Sequence, residues 1–389
     1  MAATVYFGSI LQTNMTWKET LPAKLDLILE HLKIRERVKD KTVVIKMHLG
    51  GNVGYSTVHP VFVRRVVQAV KDGGGRPFVT DTQGAEQTAH QRGYSAETLG
   101  CPLVASAGFK ETHYYVHRRE YKNIKEWRVA GAIQEADFMI GFAHVKGHPS
   151  CGFGGVIKNI ALGCMQVQTR GQMHDAFHYD RYWFKEKCPD AATAKKVVDS
   201  CPHGAMSVDR NDPMEVHIHC DPCNQCKRCL QVAPPGSLKI DPVNWASFQE
   251  ACAISTKITL STFAPENMTF LNLATQITPW CDCCGFTTAS ILPDIGVFGS
   301  DDPVAIDQAT LDMIGKHKLI HENIPRSLEA QPGAGHPLQE LLGPYKNPYL
   351  VTEYCEREGI GARDYDLHDV LPVKERGFLG PAYIPASGA

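Results

Sequence analysis

The residues best suited to chemistry here are cysteines. The stretch CDPCNQCKRCLQVAPPG, Cys220 to Gly236, carries Cys220, Cys223, Cys226 and Cys229 at intervals of three, then Ala233 followed by Pro234. A bacterial two-cluster ferredoxin contains C-x2-C-x2-C-x3-C-P twice, and the last cysteine of each copy ligates the other copy's cluster. On that template Cys223, Cys226 and Cys229 fill three positions and Ala233 stands at the fourth. The upstream copy is the complement: Cys201-Pro202 closes it, while Ala191, Ala194 and Val197 occupy its earlier positions. The losses are correlated, because one cluster lacks every ligand and the other keeps Cys201, Cys223, Cys226 and Cys229. The sequence therefore predicts one [4Fe–4S] cluster on that quartet. Structural zinc also takes four thiolates, but usually from two C-x2-C knuckles. Cys188 and Cys220 lie outside the template and are expected not to be ligands.

A second group is TPWCDCCGF, with Cys281, Cys283 and Cys284. Adjacent cysteines seldom pair with each other because the geometry is strained, and as soft ligands they suit iron–sulfur or another thiophilic metal. A second cluster is expected here, with Pro279, Trp280 and Phe286 as shielding. Its fourth ligand is Cys164, Cys151 or Cys252, or is absent, which would leave one iron open to substrate. The bland alternative is a loop of reduced thiols.

The third dense region is AHVKGHPSCGFGGVIKNIALGC, Ala143 to Cys164, with His144, Lys146, His148, Cys151 and Lys158 around several glycines. Glycines let backbone approach a ligand, and a following helix start offers amide groups to an anion. Lys146 or Lys158 would hold a carboxylate or phosphate; the spacing is neither a P-loop nor a dinucleotide fingerprint. Weaker candidates are His48, Asn52 and Tyr55, then Asp81, Thr82 and Gln83. His174, Asp175 and His178 could serve as acid–base groups or ligands, with a solvated polar helix as the bland reading. Asp301 and Asp302 read as caps of the helix beginning at Pro303.

These residues need a scaffold, and the flanking sequence supplies one. Thr42 to Lys46, Pro77 to Thr80 and Phe138 to Gly141 read as buried strands, and HPVFVRRVVQAVKDGGG from His59 as an amphipathic helix. KITLSTF from Lys257 and DIGVFGS from Asp294 read as further strands, and DPVAIDQATLDMIG as a helix with proline in its first turn. Alternating strands and helices imply an α/β fold, a mostly parallel sheet with flanking helices. Polar residues just past strand ends then gather at the carboxyl edge, where such folds bind ligands. Between these halves the rhythm breaks. The expected organisation is a discontinuous α/β domain over 1–184 and 243–389, interrupted by a small ferredoxin-like insert over 185–242. The proline-rich tail after His336 reads as an extended surface wrap.

Composition narrows the function classes. The chain has 389 residues, 21% of them charged, and a formal net charge of −2, so nucleic acid and anionic membranes are not expected partners. No apolar run is long enough for a membrane span, and the start lacks the pattern of a signal peptide. Ten of the fourteen cysteines lie from Cys188 to Cys284, which fits reduced thiols serving metal in the cytoplasm of an oxygen-avoiding organism better than a secreted disulfide scaffold.

Taken together, KMHLGG, VTDTQ, HVKGHPSCGFGGVIKNIALGC, the remnant ferredoxin motif and ITPWCDCCGF with PDIGVFGSDDPVAIDQA resemble the prokaryotic iron–sulfur proteins of the domain of unknown function 362 family. The resemblance runs from about Val44 to Ile314. It implies an Fe–S cofactor and an intact α/β unit, and supplies no reaction. The expected function is an oxidoreductase-like enzyme. Electrons from a low-potential donor such as ferredoxin or flavodoxin would enter at the quartet and pass to the Cys281, Cys283, Cys284 site, completed by Cys164. There a small anionic substrate would be held by Lys146 or Lys158 and protonated by His148 or His174. The alternatives are a non-redox lyase or hydratase with an open cluster as Lewis acid, and an electron-transfer or cluster-carrier protein without substrate. Oligomeric state is not legible.

Overall fold

The computed structural model describes residues 2–374, apart from 52, 83, 84, 332, 334, 344 and 345, together with the short strand Tyr383–Ile384. Asn52 and Gln83, and Pro344, Pro381 and Pro385 of the tail, therefore lie outside the described residues.

Eight strands build one sheet: β1 Ala3–Ser9, β2 Thr42–Met47, β3 Arg76–Asp81, β4 Leu103–Ala105, β5 Phe138–His144, β6 Met268–Ala274, β7 Gly296–Ser300 and β8 Tyr365–Asp369. Across the sheet their order is β8-β1-β7-β6-β5-β2-β3-β4. β7 runs antiparallel to β1 and β6, and every other neighbouring pair is parallel. The sheet is therefore the mostly parallel one expected. β2 and β5 are buried almost throughout, as central parallel strands covered on both faces must be.

Helices cover each face. On one side α1, Leu21–His31, and α2, Pro60–Asp72, pack Leu25, Ile28, Val63, Val66 and Val70 against Val43 and Ile45. The valines recur at helical spacing, Pro60 opens the first turn and His59 caps it by accepting the Val61 N–H. On the other side lie α3 Val156–Gly163, α4 Val167–Asp175, α5 Pro242–Leu260 and α6 Pro303–Ile314. They bury Ile157, Ile160, Phe248, Cys252 and Ile306 against Val44, Met139 and Phe270. Asp302 caps α6 by accepting the Val304 and Ala305 N–H groups. Asp301 instead pairs with Arg37 at 2.8 Å.

Two expectations fail. KITLSTF is not a strand: Lys257 to Leu260 form the last turn of α5. Asp241 caps that helix, Pro242 opens it, and Ser255 donates to the Ala161 carbonyl at 2.6 Å. Burial along the helix overrides the β-propensity of its Ile and Thr residues. Nor is the tail an extended wrap. It contains helices Pro337–Leu342 and Leu350–Arg357, and β8 completes the sheet beside β1.

Between α4 and α5 the elements are short: helix Ala191–Asp199, an antiparallel pair Met206–Val208 with Val216–Ile218, and helix Arg228–Val232. The entry and exit of this segment run side by side. Phe184 N–H donates to Ser237 O at 2.8 Å, and Lys239 N–H to Tyr182 O at 2.9 Å.

Candidate functional site

Four adjacent parallel strands, β6, β5, β2 and β3, end at one edge. The connection from β2 to β3 runs one way across the sheet and that from β5 to β6 the other. A doubly wound sheet opens its ligand crevice at such a reversal. Just past these ends stand His48, Asp81, Lys146 and the turn Asp282–Cys284. Gly51 lies so close to Gly285 that a Cβ there would meet its Cα at 2.7 Å. The Gly51 N–H donates to Asp282 O and the Val53 N–H to Gly285 O, so the loop after β2 is fastened to the cysteine turn.

Two buried carboxylates organise the site. Asp81 meets Lys46 Nζ at 2.9 Å, His48 Nδ1 at 2.9 Å and the Leu49 N–H at 2.9 Å. Burial pushes its pKa up, but Lys46 and His48 outweigh that and hold the carboxyl far below the ordinary range. Asp282 meets His144 Nδ1 at 2.9 Å, Lys146 Nζ at 3.3 Å and Ser56 Oγ at 3.0 Å. Burial is again outweighed, here by His144 and Lys146, and this carboxyl too stays ionised.

The thiols face a cation. Lys158 Nζ lies 3.1 Å from Cys281 Sγ and 3.9 Å from Cys283 Sγ. Burial and Cys283 raise the Cys281 pKa, whereas Lys158 and His148 lower it, and the net shift is downward. Burial would depress Lys158, but the sulfurs of Cys281 and Cys283, Cys281 foremost, push it up. Cys281 and Lys158 pull Cys283 itself down, but its neighbour Cys284 and burial outweigh them and leave it above the ordinary thiol value. His148 falls to about 3 through burial and the Lys158 charge, so its imidazole is neutral at neutral pH. His48 goes the other way: burial lowers it, Asp81 and Cys281 raise it, and it ends above its ordinary value. Among the described residues, His48, Cys281 and Cys283 form the only group of three or more His, Cys, Asp or Glu donor atoms within 4.8 Å of one another. This Cys/His arrangement is compatible with a metal.

A cavity of about 430 Å³ opens beside these thiols. Lys146, His148, Lys158 and His174, the four candidates for acid–base and anion-holding roles, all line it, with Cys283 and Cys284. His174 is therefore not on a solvated polar face; it and His148 both pack against the Phe248 ring, at 4.8 and 6.0 Å. Asp175 and His178 are exposed. Tyr55 is 70% exposed and outside the cavity wall, whereas Thr82 lines it. Cys164 is buried near Lys46 and Asp81, with its thiol pushed up to about 12 by burial, and is not in the compact donor group; His48 is. Cys151 donates to Phe153 O, and Cys252 is buried in α5. Trp280 and Phe286 pack on each other at 5.9 Å, Phe286 remaining half exposed.

The glycine-rich segment does not leave a helix start free. Asp307 accepts the Val156 N–H at 2.9 Å and the Ile157 N–H at 3.0 Å. A Cβ on Gly155 would lie 2.3 Å from that carboxylate, so glycine is there to admit Asp307. Burial raises Asp307 to about 6.

Four further cysteines meet in the short-element segment. Cys201, Cys223, Cys226 and Cys229 line one small cavity, closed by Pro202, Met206, Ile218 and Ile240. Gln225 and Lys227 adopt left-handed backbone with φ of 56° and 62°, unusual for side-chain-bearing residues, and curl the loop around the thiols. Cys223 Sγ accepts the Gln225 N–H at 3.4 Å, and Cys201 Sγ the Ala205 N–H at 3.3 Å. Soft donors facing inward with amide support suit a thiophilic metal. Cys188 and Cys220 stay outside the cavity wall.

Sequence reasoning missed Lys46, Arg170, Asp221 and the role of Asp282. A charged residue inside the apolar run TVVIKM was the available signal for Lys46. Arg170 pairs with Glu111 at 3.3 Å and lines the cavity. Asp221 also lines it, hydrogen-bonded by Ser150, and its carbonyl accepts Lys346 at 2.8 Å.

An α/β sheet thus gathers Cys/His donors compatible with a metal, together with Lys46, Lys146 and Lys158, around one cavity near its carboxyl edge. The family model for the domain of unknown function DUF362 matches residues 43–312, and the chain belongs to that family. None of the curated proteins matches it. Among solved structures, the lactate racemase apoprotein from Thermoanaerobacterium thermosaccharolyticum is similar at 10% identity and a TM-score of 0.32, over 70% of this chain and 50% of that one. The chain thus spans half the length of that protein. No helix among the described residues is long and apolar enough to cross a membrane.

Proposed function

We propose that this protein is an iron–sulfur oxidoreductase acting on a small anionic molecule, with Cys201, Cys223, Cys226 and Cys229 holding a [4Fe–4S] cluster. Such a cluster supplies one-electron transfer when bound. One observation carries the reading: Asp221 lines the 430 Å³ cavity, Cys223 lines the quartet's cavity, and Pro222 alone separates them. Two consecutive peptide units span at most about 7.6 Å between Cα atoms, so the two sites are immediate neighbours.

Within the larger cavity the chain's own residues bind and orient the substrate. Lys146, Lys158 and the Arg170 guanidinium all line the cavity and supply positive charge. His148 and His174 are both depressed by burial, so both rings start neutral: His174 begins as a proton acceptor, while His148, whose Nδ1 already accepts the Ser150 N–H, begins as an Nε2–H donor. Phe248 keeps both rings in place. The donor is a low-potential carrier such as ferredoxin or flavodoxin, and the compartment is a reducing cytoplasm. Residues 185–242 form the electron-entry insert within a domain made of 1–184 and 243–389, a division supported by the paired entry and exit strands.

Anaerobic purification followed by iron and sulfide counting and EPR tests this. About four irons and an EPR signal appearing on reduction support the reading; zinc in the quartet sinks it. The second reading, a lyase or hydratase using a metal as Lewis acid, is favoured by the compact His48, Cys281, Cys283 group. Turnover persisting without any reductant would select it.

A further inference from the structure

We infer that His48, Cys281 and Cys283 form a mononuclear site for a thiophilic divalent cation of the zinc type, with its fourth position turned to the cavity. This replaces the second iron–sulfur cluster expected from the cysteine spacing. For its role it rests on the cavity being the active site, but metal binding at the three donors does not depend on the quartet.

The first ground is spacing. The three donor atoms lie within 4.8 Å of one another. A tetrahedral ion with bonds of about 2.0–2.3 Å sets its donors roughly 3.5–3.8 Å apart, so a small contraction closes the shell. A cubane puts each thiolate on a different iron and needs its sulfurs spread more widely. Among the described residues the quartet's thiols form no group at this shorter spacing.

The second ground is an unspent nitrogen. His48 Nδ1 is committed to Asp81 Oδ2 at 2.9 Å, while its Nε2 is buried with no hydrogen-bond partner. A carboxylate behind one ring nitrogen fixes the tautomer and aims the other at a metal. Lys46 and the Leu49 N–H in turn hold Asp81. Beside the group, His148 is 1% exposed and also has an unpartnered Nε2, its Nδ1 accepting the Ser150 N–H at 3.1 Å. The ring whose free nitrogen keeps a lone pair for an ion is therefore His48, whereas His148, with Nδ1 accepting, carries its proton on Nε2 and can only donate it towards the sulfurs.

The third ground is the cation already there. Lys158 Nζ reaches the same two sulfurs that the ion would bridge, at 3.1 and 3.9 Å. Its ammonium favours the charged form of both sulfurs and competes with a metal for them. Cys283 is exposed, which leaves the remaining coordination position facing the cavity, and Cys284 lines the same wall.

The experiment is a Co(II) titration of chelator-treated protein under anaerobic conditions, followed by optical spectroscopy and competition with Zn(II). The expected result is about one equivalent of Co(II) per chain with thiolate-to-cobalt charge-transfer bands, displaced by zinc. Cys283→Ser and His48→Gln should each abolish or shift those bands. Asp81→Asn should weaken binding by about 10–100-fold with the bands retained, the behaviour of a positioning residue. Lys158→Met should tighten binding. Absence of thiolate bands, or bands unchanged in both Cys283→Ser and His48→Gln, would overturn the site. So would loss of sulfide-bridged iron absorption in Cys283→Ser, because the segment would then hold a cluster. Cys201→Ala keeps the two questions apart: iron lost with cobalt bands intact is expected here, and iron retained in that variant would count against the proposed function alone.

Discussion

The two cysteine regions of this molecule prepare their thiols in opposite ways. At the sheet edge Cys281 is fully buried, yet its pKa is lowered, because Lys158 and His148 outweigh burial and the neighbouring thiol. In the short-element segment Cys223 is pushed up to about 11 by burial and Cys229 is also raised. The first region carries its own counter-charge, Lys158, in the first turn of α3. The second has loop backbone and amide donors, and burial there disfavours the charged form of Cys223 and Cys229. A thiol eased towards its charged form by a neighbouring ammonium and a thiol held neutral by burial are thus two different starting points for binding a soft ligand.

The largest expected effect that separates the regions is metal content. Cys201→Ala should remove nearly all iron from anaerobically purified protein while leaving the Co(II) titration intact; loss of both metals together would merge the sites. Next is stability. Asp81→Ala leaves Lys46 buried without its partner at 2.9 Å and should cost about 3–5 kcal/mol in chemical denaturation, with no comparable buried ion pair supporting the quartet among the described residues.

The pH dependence follows. His148 has a folded pKa of about 3, below its ordinary value near ~6.5, so the unfolded state takes up a proton that the folded state refuses. Stability of the metal-free protein should therefore decline as the pH falls below about 6.5 and continue towards 3. Asp81 and Asp282, held low by their cations after burial is overcome, add a further loss below about pH 4, where the unfolded carboxyls begin to protonate. Denaturation midpoints flat from pH 7 to 4 would contradict these assignments. The smallest effect is expected from Cys188→Ala and Cys220→Ala: unchanged metal content, and destabilisation of about 1 kcal/mol.

How much of this was readable in advance differs between the regions. The quartet is a matter of local spacing plus one displaced half-motif, so laying Cys201 against Ala233 was enough to find it. Lys146, His148 and Lys158 stood out because they crowd into one segment after a strand. His174 was set against a solvated polar face, which the structure replaces with a cavity wall, since its own helix has no strong apolar face and only Phe248 from α5 brings it inward. KITLSTF failed because strand propensity in seven residues carries less weight than the burial of a whole helix. The free helix N-terminus expected after the glycines failed because Asp307 comes from a segment some 150 residues away.

By itself, then, the sequence determined the alternation of strands and helices, the complementary halves of the ferredoxin motif and the inventory of thiols, lysines and histidines, because each depends on short-range spacing or on composition. Only the tertiary structure decided that His48 rather than Cys164 joins Cys281 and Cys283, that Asp81 and Asp282 anchor the cations around them, and that Asp221 and Cys223 stand back to back between two sites. The reason is the parallel sheet: its order, not the distance along the chain, sets which strand ends share an edge, and a charge or thiol becomes part of a site only when that edge buries it beside its partner.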